Sequence, residues 1–279
     1  MTARTLTLAH SSDADDAFMF YALAQQRIEA GELRFEHVLA DIETLNQAAL
    51  RATYDVTAIS FHAYAYLHRH YALLRCGSSF GEGYGPVVVA REPISPQELT
   101  RKRVAVPGLL TSAYLLLKLY APEAEVVALP FDRILDAVAG GEADAGLIIH
   151  EGQLTYGQAE LVRVVDLGAW WKDETGLPVP LGGLAVRRGL DAALRPRIAA
   201  AVEASVRYAI DHREEALAYA VPFGRGVSRQ VGDKFVGMYV NELTLDCGER
   251  GRQAIELLLE RAFEKRLVPE HVAVDLQPT

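Results

Sequence analysis

Cysteine is almost absent from this chain of 279 residues, which contains only Cys76 and Cys247. Two cysteines so far apart support neither a disulfide framework nor a metal cluster, and such a low content is typical of proteins from a reducing compartment. The chain is long enough to bury a substantial core without cross-links. We therefore predict that both cysteines are buried apolar residues that fill the interior.

Positive charge is also scarce, since 28 lysines and arginines stand against 37 acidic residues and give a formal net charge of -9. The longest basic run is Arg101-Lys102-Arg103. Binding of nucleic acid requires a concentrated positive face that neutralises phosphates. We therefore expect no nucleic-acid partner, whereas a small anion remains open as a ligand if local hydrogen-bond donors hold it.

Long hydrophobic runs are missing as well. Residues 1–10 hold no apolar run of signal-peptide length before the polar cluster Ser11-Ser12-Asp13. No later segment approaches the roughly 20 apolar residues that a membrane-spanning helix requires. With hydrophobic residues at 50% and charged residues at 23%, the composition is that of a globular protein rather than a disordered or fibrous one. We predict a cytoplasmic protein without membrane contact.

Common metal and nucleotide motifs do not occur in the sequence. It contains no Walker loop, paired CxxC or HExxH motif, so a metal or nucleotide site has no support. The glycine-rich segment Gly81-Glu82-Gly83-Tyr84-Gly85 precedes an extended Pro-Val-Val-Val stretch instead of opening a helix after a strand. It therefore differs from a dinucleotide fingerprint, and we interpret it as a turn and hinge.

What the sequence does contain is a repeated order of strand and helix. Short segments with polar and apolar alternation are each followed by a segment with helical spacing of apolar residues. This order predicts a mostly parallel sheet that is covered by helices on both faces. The three predicted pairs of strand and helix are residues 5–10 and 17–23, 34–39 and 43–50, and 55–59 and 61–68.

The strand and helix pattern is interrupted twice. Polar, proline-containing residues 91–103 predict one crossing between lobes, and residues 177–183 predict a second. Strands and helices alternate again between the crossings, and mainly helical segments follow them. We therefore predict an α/β fold of two lobes with the ligand cleft between them, at the carboxyl ends of strands and the amino ends of helices. A discontinuous first lobe comprises residues 1–91 and 181–279, and an inserted second lobe comprises residues 92–180.

His150 ends an apolar strand abruptly, in the sequence Gly-Leu-Ile-Ile-His-Glu over residues 146–151. This position places the imidazole at the cleft-facing rim of the sheet, where the ordinary pKa of a histidine suits proton transfer. A helix cap or another structural role is the alternative for a histidine without a partner motif.

Three carboxylates fall within four residues after the first strand, at Asp13, Asp15 and Asp16. The dipole at a helix amino terminus stabilises ionised carboxylates, which can then accept hydrogen bonds from substrate hydroxyls. A helix cap explains one of them. It does not explain three, because they repel one another unless a ligand or solvent separates them.

Hydroxyl side chains mark two further predicted helix starts. Thr111 and Ser112 follow a strand and open a helix, so their hydroxyls and the free backbone N–H groups form a site for a carboxylate or phosphate without lysine or arginine. Ser60 is placed in the same way ahead of its own helix. A plain helix cap remains the alternative for each of them.

Eight short blocks of the sequence occur in a characteristic order, and they are residues 9–11, 13–16, 18–23, 41–46, 54–60, 83–86, 146–151 and 177–183. These blocks include Asp13-Ala14-Asp15-Asp16 and the strand that ends in His150-Glu151. In this order they resemble the 1,4-dihydroxy-6-naphthoate synthase family, which serves the futalosine route to menaquinone. The resemblance extends over nearly the whole chain.

The resemblance implies a two-lobed, type II periplasmic-binding-protein-like fold that serves as an enzyme without a cofactor. The family converts cyclic de-hypoxanthinyl futalosine to 1,4-dihydroxy-6-naphthoate in a lyase reaction, and its histidine general base corresponds to His150. Some relatives carry lysine where this chain has Ala58. The implied substrate contacts are Ala58, Ile59, Ser60, Thr111 and Ser112, with further pocket positions at Asp16 and Asn46.

Two other functions remain as alternatives. Chorismate dehydratase shares this fold and pathway, although the His-Glu ending of residues 146–151 is associated with the naphthoate synthases. A non-catalytic solute-binding protein of a transporter also shares the fold, but it requires an export signal or a lipid-attachment cysteine, and the first residues show neither. We expect a small anion with a carboxylate group as the ligand, and a monomer or homodimer.

Overall fold

The computed structural model describes residues 4–277, which build two β-sheets with helices packed around them. The strands are β1 (Arg4–His10), β2 (Leu33–Leu39), β3 (Val56–Ser60), β4 (Tyr71–Leu74), β5 (Ser79–Gly81), β6 (Val87–Ala90), β7 (Arg103–Val106), β8 (Glu125–Ala128), β9 (Ala145–Ile148), β10 (Val162–Asp166), β11 (Val179–Arg187) and β12 (Leu276–Gln277). The helices are α1 (Ala14–Met19), α2 (Tyr21–Ala24), α3 (Ile42–Ala49), α4 (Phe61–Leu67), α5 (Pro96–Leu99), α6 (Ser112–Tyr120), α7 (Ile134–Ala139), α8 (Gly152–Thr155), α9 (Leu167–Thr175), α10 (Leu194–Asp211), α11 (Arg213–Ala220), α12 (Arg229–Tyr239), α13 (Glu242–Leu245) and α14 (Gly248–Glu264). Short 3-10 helices span Phe131–Arg133, Tyr156–Ala159 and Val221–Gly224.

The first sheet has the order β12-β4-β11-β3-β1-β2, and β5 pairs with β11 beside this path. β1 runs parallel to β2 and β3, as the repeated strand and helix order predicts. β11 lies antiparallel between β3 and β4. The sheet is therefore mixed. The prediction of a mostly parallel sheet is wrong for the pairs that β11 makes, because this strand enters from the second sheet and runs antiparallel to its neighbours.

The second predicted crossing, at residues 177–183, overlaps the passage from the second sheet to the first, because β10 ends at Asp166 in the second sheet and β11 begins at Val179 in the first. Pro180 and Gly182 hide this strand in the sequence, since both residue types weaken the signal for a strand interior. Pro180 lies where the register between β11 and β5 shifts. Gly182 pairs with Ser60, and a Cβ there would lie 3.1 Å from the carbonyl oxygen of Ile59.

The second sheet has the order β10-β6-β9-β7-β8. β6 pairs antiparallel with both β9 and β10, whereas β7 runs parallel to β8 and β9. The chain has thus entered this sheet by Val87, so the first predicted crossing, at residues 91–103, is placed too late in the sequence. The limits of the two lobes stay a prediction, with residues 1–91 and 181–279 in the first lobe and residues 92–180 in the second. β6, which the prediction places in the first lobe, belongs to the second sheet.

Two chain segments connect the sheets, one just before β6 and one just after β10, and glycines allow these two passages to touch. Gly85 lies just before β6, and Gly168 lies in the first turn of α9, just after β10. A Cβ on Gly85 would lie 2.9 Å from the Cα of Gly168, and a Cβ on Gly168 would lie 2.1 Å from the carbonyl carbon of Tyr84. Only glycine permits backbones to approach this closely. The predicted turn at residues 81–85 lies at this contact, with a φ of +80° at Gly83.

Apolar side chains fill the interior around both sheets. One cluster joins the two sheets and contains the fully buried Phe61, Phe80 and Trp171. Cys76 and Cys247 are buried and free, which confirms that they fill the interior. Burial raises the pKa of Cys76 to about 12 and that of Cys247 to about 11. Across residues 4–277, the structure contains no helix with the length and apolarity needed to cross a membrane.

Candidate active site

A cleft lies between the two sheets, close to the ends of β1, β3 and β9. Small-molecule sites often lie in a cleft between two lobes. It brings together most of the predicted site residues, because its wall contains Asp16, Ala58, Ile59, Ser60, Thr111, Ser112 and His150. The structure therefore brings these residues together at strand ends and helix starts, and their contact with a ligand stays a prediction.

Asn46 is the predicted pocket residue that the structure places behind the cavity wall. It is completely buried on α3. Its Nδ2 donates to the hydroxyl of Ser60 at 3.1 Å, and its Oδ1 accepts the backbone N–H of Ser60 at 2.9 Å. The Ser60 side chain makes no cap bond to α4, so its hydroxyl proton is free to donate into the cavity.

The amino terminus of α6 contributes a second hydroxyl. Ser112 Oγ accepts the backbone N–H of His62 at 3.2 Å, which leaves its own proton free. Thr111 Oγ1 accepts the N–H of Tyr114 at 3.1 Å and donates to the Gly108 carbonyl at 3.0 Å, so Thr111 is the cap of α6. The first N–H groups of α6 have no acceptor within the helix. Together with the Ser112 hydroxyl, they form a group of donors that suits an anion.

His150 lies two residues after β9 and has a left-handed backbone conformation with a φ of +60°. Its Nδ1 lies 2.7 Å from Asp13 Oδ2. A carboxylate accepts the proton of Nδ1 and so selects the tautomer in which Nε2 carries the lone pair. Nε2 is buried and has no hydrogen-bond partner in the part of the chain that the structure describes. The ring borders the cavity, and an imidazole held by a carboxylate, with its other nitrogen unpartnered, has the hydrogen-bond arrangement of a general base.

Asp13 is the carboxylate that faces His150. Its other neighbours are Arg225, whose Nη2 lies 2.5 Å from Oδ1, and the hydroxyl of Ser11, which donates to Oδ2. Burial alone would raise the pKa of this carboxyl. The attraction of His150 and Arg225 outweighs burial and holds the pKa of Asp13 well below its ordinary value. Asp13 is therefore ionised at neutral pH.

The other two carboxyls of this cluster, Asp15 and Asp16 in the first turn of α1, differ from Asp13 in the direction of their pKa shifts. Burial and repulsion by Asp13 raise the pKa of Asp16 to about 7, although the Ser11 N–H donates to its Oδ2 at 2.6 Å. Burial and repulsion by Asp16 raise the pKa of Asp15 well above its ordinary value. Burial therefore opposes the ionisation that the helix dipole favours at Asp15 and Asp16.

An Asp16→Asn substitution should make the free energy of unfolding depend less on pH, because asparagine has no proton to lose as the pH rises. The folded protein binds the Asp16 proton more tightly than the unfolded chain, with a pKa of about 7 against an ordinary value of 3.8, so the free energy of unfolding falls as pH rises through this window. We expect the variant to lose less stability between pH 4 and pH 8 in urea titrations, by a few kcal/mol, since one pKa unit is about 1.4 kcal/mol. The exposed Asp132→Asn is the control, and equal pH dependence of Asp16→Asn and wild type would contradict the prediction.

Apolar side chains line much of the remaining wall. They come from both lobes and include Ile59, Ile149, Leu181, Phe235 and Pro86. Such a surface suits the flat face of a ring system. Ala58 brings no charge to the wall.

Polar contacts join the two sides of the cleft at points that the sequence did not indicate. Glu151 Oε1 accepts the N–H of Ala14 at 3.2 Å, and Gln153 Oε1 accepts the hydroxyl of Tyr239 at 2.7 Å. Arg225 Nη1 lies 3.5 Å from Glu151 Oε2. These partners are far apart in sequence. For Arg225, the sequence offers one local indication, its position between two glycines at residues 224–226.

Ser79 also lines the cavity and lies within Gly77-Ser78-Ser79-Phe80-Gly81, which has the GxSxG spacing of serine hydrolases. In those enzymes the serine occupies a sharp turn between a strand and a helix. Ser79 instead begins β5, which pairs with β11. The segment therefore lacks the backbone context of a nucleophilic serine.

Comparison with known sequences decides the family. A family profile described as menaquinone biosynthesis matches residues 6–264. The chain belongs to the menaquinone biosynthesis family. A 1,4-dihydroxy-6-naphthoate synthase of Thermus thermophilus is 47% identical over 262 residues, which cover 94% of this chain and 95% of that enzyme. The enzyme of the same name from Streptomyces coelicolor is 41% identical over 275 residues, or 96% of each chain. The family resemblance carried by the sequence blocks is confirmed.

The fold of this menaquinone biosynthesis family member is found in solute-binding proteins. The solved structure of the periplasmic aliphatic sulphonate binding protein SsuA from Escherichia coli matches 99% of this chain and 92% of its own, with a TM-score of 0.70 and 15% sequence identity. Similarity at this level of identity concerns the fold alone. It confirms the predicted α/β, periplasmic-binding-protein-like fold.

Proposed function

We propose that this chain is a 1,4-dihydroxy-6-naphthoate synthase, a carbon–carbon lyase that converts cyclic de-hypoxanthinyl futalosine to 1,4-dihydroxy-6-naphthoate. The observation that carries the proposal is His150, whose ring borders the cavity, whose Nε2 is without a partner among the described residues, and whose Nδ1 is held by Asp13. Membership of the menaquinone biosynthesis family and the names of two relatives support it.

His150 is the general base in the proposed reaction. Its Nε2 takes a proton from the sugar portion of the substrate. The electron pair left behind forms a new π bond as the carbon–carbon bond to the ring system breaks, and the pair from that broken bond passes into the ring system, which becomes aromatic. Aromatisation supplies much of the driving force, and the Asp13 carboxylate stabilises the imidazolium that forms.

The proposed substrate is a small anion, and its aromatic carboxylate lies at the amino terminus of α6. Ser112 and Ser60 supply hydroxyl donors there, and the free N–H groups of α6 add to them. This arrangement supports binding of an anion by a chain with a formal charge of -9. The proposal includes a cytoplasmic location and a monomeric or homodimeric state.

A Ser112→Ala substitution should raise the KM of the substrate about tenfold or more and change kcat less. A hydrogen bond to a charged group contributes about 1.5–3 kcal/mol, and the carboxylate is bound in both the ground state and the transition state. Steady-state kinetics would measure the effect. Ser228→Ala is the matched control, because Ser228 caps α12 and does not line the cavity. An unchanged KM for Ser112→Ala would contradict the assigned position of the carboxylate.

The proposed activity can be tested directly with the purified protein. Incubation with cyclic de-hypoxanthinyl futalosine and, separately, with chorismate should give 1,4-dihydroxy-6-naphthoate from the first substrate only, as followed by ultraviolet absorbance and mass spectrometry. Turnover of chorismate would favour chorismate dehydratase instead. Binding of either compound without turnover would favour a solute-binding protein.

A further inference from the structure

We propose that Asp13 and Arg225 are positioning residues that complete the general base only while the two lobes are joined. Asp13 fixes the orientation of His150 across the cleft, and Arg225 fixes Asp13. This inference rests on the proposed function, because it assigns roles around the base that the reaction uses.

The contact between Asp13 and His150 joins segments from the two sheets. Asp13 follows β1 of the first sheet, whereas His150 follows β9 of the second. The Asp13 side chain is only 4% exposed, and its Oδ2 lies 2.7 Å from Nδ1 of the imidazole. Separation of the lobes would break this contact, and Nδ1 would lose the acceptor that keeps the proton on Nδ1 and the lone pair on Nε2.

The backbone of His150 makes such an external support necessary. A non-glycine residue at a φ of +60° is strained and is held there by its surroundings. Phe131 meets the ring edge-on, with 4.8 Å between the ring centroids. The hydrogen bond of Asp13 is the polar contact that prevents the imidazole from flipping between its two orientations.

Arg225 joins the same elements without lining the cavity. Its Nη2 lies 2.5 Å from Asp13 Oδ1, and its Nη1 lies 3.5 Å from Glu151 Oε2, on the opposite side of the cleft. The guanidinium also lies over the ring of Phe131, at 4.3 Å from the centroid. Since Phe131 packs on His150, Arg225 supports the base both through Asp13 and through this ring. A planar group with several donors suits such a bridge.

The charges around His150 predict opposite effects of two substitutions on pH dependence. Asp13, the N-cap of α1, and Asp16, in the first turn of α1, act on the imidazole from the first sheet's side. Glu151 follows His150 on the same segment, and Arg225 faces Asp13. Asp13→Asn removes the negative charge that favours the imidazolium, so the fall of kcat/KM at low pH should shift to lower pH. Arg225→Gln removes the competing positive charge, so the same limb should shift to higher pH.

We expect Asp13→Asn to lower kcat about tenfold to a thousandfold with a smaller change in KM, and to shift the acid limb by about one pH unit. Arg225→Gln should lower kcat about tenfold, with the opposite shift. Arg213→Gln is the matched control, because Arg213 also pairs with an aspartate, Asp233, and lies over a phenylalanine ring, but is outside the cavity. It should leave kcat and the pH profile unchanged.

The outcomes separate this inference from the proposed function. Wild type that fails to convert cyclic de-hypoxanthinyl futalosine contradicts the proposed function itself. Active wild type together with Asp13→Asn and Arg225→Gln variants that keep its kcat and acid limb contradicts the positioning roles alone. If Asp13→Asn does not fold, nitrogen-15 NMR of the histidine rings in wild type decides instead. A proton on Nδ1 of His150 supports the assignment, and a proton on Nε2 of the resting enzyme overturns it.

Discussion

Replacement of His150 by alanine is expected to lower kcat at least about a hundredfold, because a positioned general base contributes about 10² to 10⁴ in rate. The KM should change little, since the proposed carboxylate contacts lie at the amino terminus of α6 and not at His150. The cavity that the side chain leaves can admit a small base. Added imidazole should therefore restore part of the activity of His150→Ala, with a dependence on pH that follows the unprotonated form of imidazole.

Steady-state and single-turnover kinetics with cyclic de-hypoxanthinyl futalosine would measure this loss. His212→Gln is the control, since His212 is exposed between α10 and α11, its Nδ1 bonds to the carbonyl of Tyr208, and it does not line the cavity. A kcat of His150→Ala within threefold of wild type would show that the base is another group. If the activity is lost and imidazole restores none of it, the fall in kcat alone supports the assignment of the base. The variant must then unfold at the same temperature as wild type, so that unfolding does not account for the loss of activity.

The second large effect is expected on stability, from Gly168→Ala. Its new Cβ would lie 2.1 Å from the carbonyl carbon of Tyr84 and 2.4 Å from the backbone nitrogen of Gly85. Backbone atoms cannot yield as a flexible side chain does, so the two passages between the sheets must move apart. Overpacking of this kind costs about 1–3 kcal/mol and sometimes more, and we expect a loss of at least about 3 kcal/mol because two backbone contacts fail together.

Urea unfolding at neutral pH would measure the loss. Gly157→Ala is the control, because a Cβ on Gly157 meets no atom within 4 Å and alanine there restricts the unfolded chain. It should therefore be neutral or slightly stabilising. Equal stability of the Gly168→Ala and Gly157→Ala variants would mean that the contact between the passages carries no constraint.

Local sequence pattern predicts those parts of the fold that local interactions determine. The alternation over β1, β2 and β3, and the apolar periodicity of α10, α12 and α14, indicate their type and approximate limits. β11 is missed because its proline and glycines read as a loop, whereas pairing with β3 and β4 over a long sequence distance makes it a central strand. The first crossing is misplaced because Val87 to Ala90 could pair in either sheet on sequence pattern alone.

The candidate site also contains residues that local pattern predicts and contacts that only the folded chain creates. His150, Ser60 and Ser112 were predicted because each follows a strand end or opens a helix, which is a local feature. The partnership of Asp13 with His150 and Arg225 joins residues from distant parts of the chain, and no periodicity encodes it. The raised pKa values of Asp15 and Asp16 depend on burial by the folded protein, so their protonation also lay beyond the sequence pattern.

The unequal charges of Asp13, Asp15 and Asp16 affect how an anion reaches the cavity. The formal charge of -9 counts every carboxyl as ionised, whereas burial favours the protonated form of Asp15 and, below about pH 7, of Asp16. An anionic substrate therefore meets less repulsion at the cleft than the sequence implies. Above that pH, ionisation of Asp16 adds a negative charge beside its path. The association rate then falls with rising alkalinity, most steeply in dilute salt, where screening is weakest.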